Sequence, residues 1–388
     1  MATTSKPIMQ FTHIALENWR NFLKVDIDLK RRAFLVGPNA AGKSNFLDVF
    51  RFLHDIVAVG GGFQAAVAQR GGVSKLRSLA ARRYPEIVIR VAMADREQLG
   101  PWQYELRFAQ DKLRRAIISG ERITRDGQVL VERPDEHDQA DRERLSQTYL
   151  EQVNVNKEFR GVTEFFQMVR YLHIVPQLVR DPDRSVGRKN DPFGGDFIEQ
   201  IARTPEKTLK ARFRRIRDAL QVAVPQLQEL EVWRDERGTP HVRGKYEHWR
   251  PQSAWQTEEQ FSDGTLRLMG LLWAALDGNG PLLLEEPELS LHPDVVRYIP
   301  QMFARLQQRS GRQILVSTHS TDLLRDEGLG LDETLLLQPG AEGTQIRAAS
   351  DFVEVSALLA GGLNLAEAVM PQVRPSRVHQ LALFGDEG

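Results

Sequence analysis

Three stretches of the sequence predict an α/β fold in which a parallel sheet carries a phosphate-binding loop. Residues Gly37 to Ser44 read Gly-Pro-Asn-Ala-Ala-Gly-Lys-Ser and match G-x-x-x-x-G-K-[ST] at every fixed position. From Ser262 onward, helix-like and strand-like apolar runs alternate, as parallel strands joined by helices do. Between the two lie short runs broken by turn residues, which predict antiparallel strands.

The segment Phe11 to Leu29 predicts a hairpin, because Asn18-Trp19-Arg20-Asn21 punctuates two apolar runs and Val25, Ile27 and Leu29 alternate with Asp26 and Asp28. Ala33 to Val36 is a short buried-type strand leading into the loop. After the loop, Phe46, Val49, Phe50, Leu53 and Ile56 recur at helical spacing with no Pro or Gly between them. Gly60 to Gly62 and Gly71-Gly72 predict a flexible surface segment. Strands are expected over Glu86 to Met93, Trp102 to Phe108, Leu113 to Ser119 and Gln128 to Val131, with Asp126-Gly127 as the last turn.

Arg133 to Glu143 is dense in charge and predicts an exposed linker into a mainly helical insert. Thr204-Pro205 reads as an N-cap followed by proline at the first helical position, ahead of the stripe Leu209, Phe213, Ile216 and Leu220. Strands near Leu230 to Arg234 and His241 to Tyr246 close the insert. Next come a helix over Thr265 to Leu276, a strand over Pro281 to Glu285, a helix over Pro293 to Gln308, a strand over Gln313 to Ser317 and a helix over Thr321 to Arg325. Pro300 predicts a kink or two shorter helices in the third of these. The expected division is 1–135, 136–260 and 261–388.

Lys plus Arg total 52 and Asp plus Glu total 52, so no global field attracts nucleic acid or membrane, and any such attraction is local. Absence of cysteine removes disulfides, thiolate metal sites and cysteine nucleophiles. Met1 to Gln10 holds no apolar core of a leader, and the longest apolar run, Leu268 to Leu276, is too short for a bilayer. The expected setting is cytoplasmic, away from membranes.

In a loop of this pattern, glycine lets successive backbone N–H groups and a helix N-terminus face an anion. Lys43 then reaches the β- and γ-phosphates of ATP, and the Ser44 hydroxyl ligates Mg²⁺. Pro281 to Glu288 is an apolar strand ending in consecutive carboxylates. Such a strand end suits a metal and an attacking water, so Glu285 is assigned to the metal and Glu286 to the water. Gln313 to Ser320 is a second buried-type strand, and it places His319 at a sheet edge where ligands of α/β folds collect. Ser262 can cap the helix after it, and Gly264 permits close backbone approach.

Together these residues resemble the ABC-type ATPases, in the SMC, RecF and OLD-like branch of predicted AAA-type ATPases. The resemblance implies a P-loop NTPase fold: an ABC-type ATPase head with an antiparallel β subdomain and an enlarged helical lobe II. It makes Gly37, Pro38, Asn39, Ala40, Ala41, Gly42, Lys43, Ser44 and Asn45 the nucleotide-binding loop, and Glu285-Glu286 the Walker B pair. His319 becomes the switch histidine, Ser262-Asp263-Gly264 the signature and Leu291-His292-Pro293 the D-loop. Gln177, after the apolar run Tyr171 to Val175, falls where the family places a glutamine that senses Mg²⁺. Arg180, close by, either touches phosphate or is solvated.

Departures from the family pattern narrow the expectation. Glu285 stands where most members have aspartate, and His292 stands where transporter subunits have one. From Ser44 to Ser262 is a separation of 218 positions, which enlarges lobe II. No sustained heptads and no Cys-x-x-Cys are present for a long-armed SMC relative. Only 69 residues follow His319, without an Asp-x-Asp, and Asp181-Pro182-Asp183 reads as a turn, so no nuclease is expected in this chain.

The implied function is ATP hydrolysis by a homodimer that forms on ATP binding, with Lys43, Glu286 and His319 catalytic. It would act on or near DNA in repair, recombination or defence, with a separate effector protein. A transporter ATPase subunit and a nucleotide-binding scaffold with little turnover are the alternatives. Lys207, Lys210, Arg214 and Arg217, with Arg212 and Arg215, form a basic helical face that reads equally as a DNA contact or as solvated surface. Gln380, Leu383 and Phe384 resemble a peptide that binds the DNA sliding clamp, and a segment docked on its own core accounts for the same residues.

Overall fold

The computed structural model describes residues 9–81, 85–94, 101–181, 191–247, 254–375 and 380, arranged on three sheets. The chain opens with the expected hairpin, β1 (Gln10–Trp19) and β2 (Phe22–Asp28), and enters β3 (Arg32–Val36), whose last four residues are buried. The phosphate-binding loop leads into α1 (Lys43–Val57), and the predicted stripe from Phe46 to Ile56 is buried throughout. Where the glycines predict a flexible segment, two short helices form instead, α2 (Phe63–Ala68) and α3 (Val73–Leu76). Phe63 and Leu76 are fully buried, so docking on the core overrides the local signal from glycine.

Strands β4 (Ile87–Ala94), β5 (Trp102–Gln110), β6 (Ala116–Arg125) and β7 (Gln128–Arg133) join the hairpin in a six-stranded antiparallel sheet, ordered β2-β1-β4-β5-β6-β7. Asp126 and Gly127 both take positive φ in the β6–β7 turn, as the Asp-Gly pair predicts. The charged stretch that follows is exposed along most of its length, as expected, but Arg133 and Asp138 anchor it to the core. It forms α4 (Glu136–Ala140), and the side chains of Arg133, Asp138 and Glu121 are fully buried together. Arg133 bonds Asp138 through two nitrogens at 2.8 Å and Glu121 at 3.0 Å, so these charges face one another rather than solvent.

Helix α5 (Arg160–Gln167) then packs on α1, and β8 (Arg170–Leu172) joins the central sheet. Next come α6 (Pro176–Val179), α7 (Phe197–Ala202) and α8 (Glu206–Ala223). The last begins one residue later than predicted, with Pro205 itself at the N-cap, and it buries Phe213, Ile216 and Leu220. Strands β9 (Leu227–Arg234), β10 (Pro240–Tyr246) and β11 (Ala254–Thr257) make a separate antiparallel sheet, and the first two fall on the strands expected to close the insert.

The C-terminal part alternates as predicted: α9 (Asp263–Leu276), β12 (Leu282–Glu285), α10 (Pro293–Val296), α11 (Ile299–Ser310), β13 (Ile314–Thr318) and α12 (Thr321–Leu324). Pro300 sits in the first turn of α11, which splits the predicted helix in two. The chain then adds β14 (Thr334–Gly340), β15 (Gly343–Ala348), α13 (Val353–Ala360) and α14 (Leu365–Val369). Leu383, Phe384, Pro182 and Asp183 lie outside the described residues. Among the described residues no helix is long and apolar enough to cross a membrane.

The central sheet has the order β15-β14-β3-β13-β12-β8, parallel throughout except for the edge strand β15. Leu282, Leu283 and Leu284 are all buried, because a parallel strand covered on both faces has no solvent side. One core lies between this sheet, α1 and the antiparallel sheet; the other lies on the opposite face with α8, α9 and α11. The register sets Ser317 beside both Glu285 and Leu35, and Thr318 beside Val36. Consequently Gly37, Glu286 and His319 emerge at the same edge of the sheet.

Candidate active site

The phosphate-binding loop turns through positive φ at Ala40 (64°) and Gly42 (97°), the second a conformation that favours glycine. A Cβ on Gly42 would also stand 2.1 Å from the Asn21 side chain. That amide clips the loop in place: its Nδ2 donates to the Ala41 carbonyl (2.9 Å) and to Thr344 (2.8 Å), and its Oδ1 accepts from Asn45 (2.8 Å). The side chain of Asn45, assigned to nucleotide by resemblance, is thus engaged with Asn21. Asn21 and Thr344 belong to the site's support yet are remote in sequence from the loop, so no local pattern marks them.

Helix α1 starts directly from the loop with no side-chain cap, which leaves the N–H groups of its first turn to an external anion. Lys43 is buried, and its Nζ donates to the carbonyls of Gly37 (2.9 Å) and Pro38 (3.2 Å). Burial lowers its pKa, and the carboxylates of Glu286, Glu288 and Glu285 act against that shift. Its ammonium also stands 4.0 Å from Glu286. These residues fit a nucleotide phosphate: an uncapped helix start and a cation held by weak carbonyl acceptors.

Glu285 ends β12 with both carboxylate oxygens engaged, one by the Ser44 hydroxyl and the other by the Tyr171 hydroxyl. Ser44 and Glu285 are two of the three residues assigned to Mg²⁺, and the chain brings them into direct contact across 241 positions. Burial, followed by the Glu285 charge and hydrogen bond, raises the Tyr171 pKa and keeps the phenol a donor. Tyr171 stands in the run read only as apolar, and that run gives no sign of its role. Gln177 is exposed on α6, which follows β8, the strand paired with β12.

Glu286 takes φ of 44°, a left-handed conformation in a non-glycine residue at the turn leaving the strand. Its amide donates to Ser317 (2.9 Å) and its carboxylate lies 3.2 Å from His319 Nδ1. The two groups assigned to the attacking water and the switch therefore meet. Behind them the buried Glu288 accepts from Thr318 Oγ1 at 2.5 Å.

The signature lies apart from this cluster. The Ser262 hydroxyl caps α9 by accepting from the Thr265 amide (3.1 Å), and a Cβ on Gly264 would fall 2.5 Å from the Ser290 carbonyl. Among the described residues no hydrogen bond joins Ser262 or Gly264 to Gly37–Ser44. Arg180 bonds Asp263 (2.5 Å) and the Phe261 carbonyl (2.8 Å), so it ties α6 to the signature rather than being free in solvent. His292 caps α10 by accepting from Asp294 N (3.2 Å).

Known proteins share the fold. The fold is similar to an SMC head bound to the C-winged helix domain of ScpA, with a TM-score of 0.54 and 11% identity over 87% of this chain and 97% of the other. It is also similar to the Pyrococcus furiosus Smc head with an extended coiled coil, bound to the C-terminal domain of ScpA. There the TM-score is 0.53 and the identity 11% over 91% and 100% of the two chains. Endonuclease GajA of Bacillus cereus (strain VD045) is 47% identical over 47 residues, which are 12% of this chain and 8% of the endonuclease. Residues 32–326 of the 388, which run from β3 through α12 and include every motif of the site, match one family along their length. The chain belongs to the family described as "AAA domain, putative AbiEii toxin, Type IV TA system" and is an ATP-hydrolysing P-loop enzyme with the fold of an SMC head.

Proposed function

We propose that the chain is an ATP-driven molecular switch that dimerises on nucleotide and acts on or near DNA, together with a separate effector protein. The observation that carries this reading is the division of the site. The loop, Glu285, Glu286 and His319 are assembled at one sheet edge, while Ser262 and Gly264 make no bond to the loop of their own chain. A second copy would supply its signature across the nucleotide.

ATP binding would draw Lys43 from the Gly37 and Pro38 carbonyls to the phosphates. Mg²⁺, held by Ser44 and Glu285 with Gln177 nearby, would neutralise phosphate charge. Glu286 would orient the water in line with the γ-phosphate, and His319 would contact the γ-phosphate while keeping Glu286 in place, since phosphoryl transfer is catalysed by positioning and charge. Replacing Glu286 by Gln should slow hydrolysis while keeping ATP bound, and trap a dimer. Gel filtration of that variant with ATP and Mg²⁺ tests this, and a species that stays monomeric would refute the switch.

The DNA reading draws support from the short match to an endonuclease and from α8, where Lys207, Lys210, Arg214 and Arg215 are exposed. Arg212 is not part of that surface, because it bonds Asp277 (2.9 Å) and stacks on Trp273. Reversing Lys207 and Arg214 to Glu should weaken DNA binding and flatten its salt dependence. The effector reading draws support from the SMC heads, which are seen bound to ScpA domains. Clamp binding through Gln380, Leu383 and Phe384 would be lost on deleting residues 380–388 in a pull-down against the clamp.

A further inference from the structure

Glu288 is a carboxylate in the wrong place for a surface acid. It lies in the turn after β12 with 7% of its surface exposed, and its Oε2 is buried with no hydrogen-bond partner. Burying a carboxylate is costly unless it is well bonded, and an orphaned oxygen adds to that cost. A structural role alone would be served by a neutral residue.

The other oxygen shows what the residue does. Oε1 accepts from the Thr318 hydroxyl at 2.5 Å and, more distantly, from the His319 amide at 3.4 Å. Thr318 Oγ1 in turn accepts from the Ser320 amide at 3.0 Å, and Ser320 caps α12. One carboxylate oxygen therefore gathers Thr318, His319 and, through Thr318, Ser320. The turn after β13 is thereby bound to the turn after β12. Those two turns carry His319 and Glu286, whose side chains meet at 3.2 Å.

We propose that Glu288 is a positioning residue for ATP hydrolysis, which fixes the His319 imidazole against Glu286 by holding Thr318 and the His319 amide, without itself touching nucleotide. The inference rests on the reading of Glu286 and His319 given above. Lys43 and Ser44 are hydrogen-bonded by other groups, and Glu288 acts on Lys43 only through its charge, behind that of Glu286, so nucleotide affinity should change little without Glu288.

The test uses steady-state ATPase kinetics, ATP affinity and thermal melting of the full chain. Glu288→Ala should lower kcat about 10- to 100-fold, the scale of a misplaced catalytic group, and leave ATP affinity within about twofold. Glu288→Gln keeps an acceptor oxygen for Thr318 and should recover kcat to within about threefold of the parent. Combined with His319→Ala, the loss should not exceed the larger single loss, because both changes act through the same imidazole. Should Glu288→Ala fail to fold, Thr318→Val removes the other end of the link and should give the same loss of kcat at constant affinity.

Unchanged kcat in Glu288→Ala would overturn the proposal, as would a loss that multiplies with that of His319→Ala or an affinity that falls with kcat. If His319→Ala itself leaves kcat unchanged, the underlying reading of the site falls as well. If His319→Ala lowers kcat and Glu288→Ala does not, only the role of Glu288 is lost.

Discussion

Asn21 is the residue whose role depends most on the folded chain. It sits in the β1–β2 turn, and its one amide joins Ala41, Asn45 and Thr344. Asn21→Ala removes those three side-chain hydrogen bonds and should cost about 1–2 kcal/mol in a denaturant titration. ATP affinity should weaken in the same variant, because the loop loses its clip. Lys43 presents the opposite case. Its motif announces it, and Lys43→Ala should abolish ATP binding measured by calorimetry, while the free protein loses two carbonyl hydrogen bonds and the nearby charge beside Glu286.

Among the elements, the β6, β7 and α4 corner shows how a charge-rich stretch is anchored to the core. Arg133 is flanked by Asp138 and Glu121, with its guanidinium 3.9 Å above the Tyr149 ring. Removing one partner of such a group leaves buried charge uncompensated, so Arg133→Met should destabilise the protein by about 3–5 kcal/mol. The pH dependence has a definite sign. Burial raises the Asp138 carboxyl, but Arg133, the Asp135 amide and Arg144 outweigh it and hold it well below 3.8. Its stabilisation is therefore complete above about pH 3.8 and lost as the pH falls toward the folded value. Glu121 acts in the other direction. Burial outweighs Tyr149 N and Arg133 there, and the resulting penalty is relieved as the pH falls toward 4.5. Denaturant titrations between about pH 5 and pH 2 should show the parent losing stability below about 3.8, and Arg133→Met losing less over that interval.

Helix α9 carries a second constraint of this kind. Gly264 faces the Ser290 carbonyl so closely that Gly264→Ala must displace backbone, at a cost of about 1–3 kcal/mol by thermal melting. Its effect on ATP turnover should exceed its effect on ATP affinity, because the nucleotide loop is elsewhere on the chain.

For the whole molecule, the division of the site predicts complementation between damaged copies. A Lys43→Ala chain and a Gly264→Asp chain should each be inactive alone. In a mixed dimer, one nucleotide would still find an intact loop and an intact signature. With random pairing in a two-fold symmetric dimer, an equal mixture should recover about a quarter of the parent ATPase rate. A phosphate-release assay on the mixture measures this, and no recovery would contradict the composite site.

The antiparallel strands, the α1 stripe, the break at Pro300 and the strand carrying Glu285 were legible because each depends on local periodicity or a single backbone constraint. The docking of α2 and α3 and the burial of Arg133 were not, since contacts distant in sequence decide them. β14 is an intermediate case: Leu335-Leu336-Leu337 before Pro339-Gly340 has the composition of a buried strand.

The same division runs through the site. By itself the sequence determined the chemistry, because a glycine-rich loop with Lys43 and Ser44, two carboxylates after an apolar strand and a histidine after another can be read from residue type and spacing. Only the tertiary structure decided which side chains hold them. Tyr171 on Glu285, Asn21 on the loop and Glu288 on Thr318 are hydrogen bonds across 114, 20 and 30 positions. The first and last form because parallel strands bring distant chain segments to one edge, and the second because the β1–β2 turn packs on the loop, and neither meeting leaves a periodic trace in the sequence.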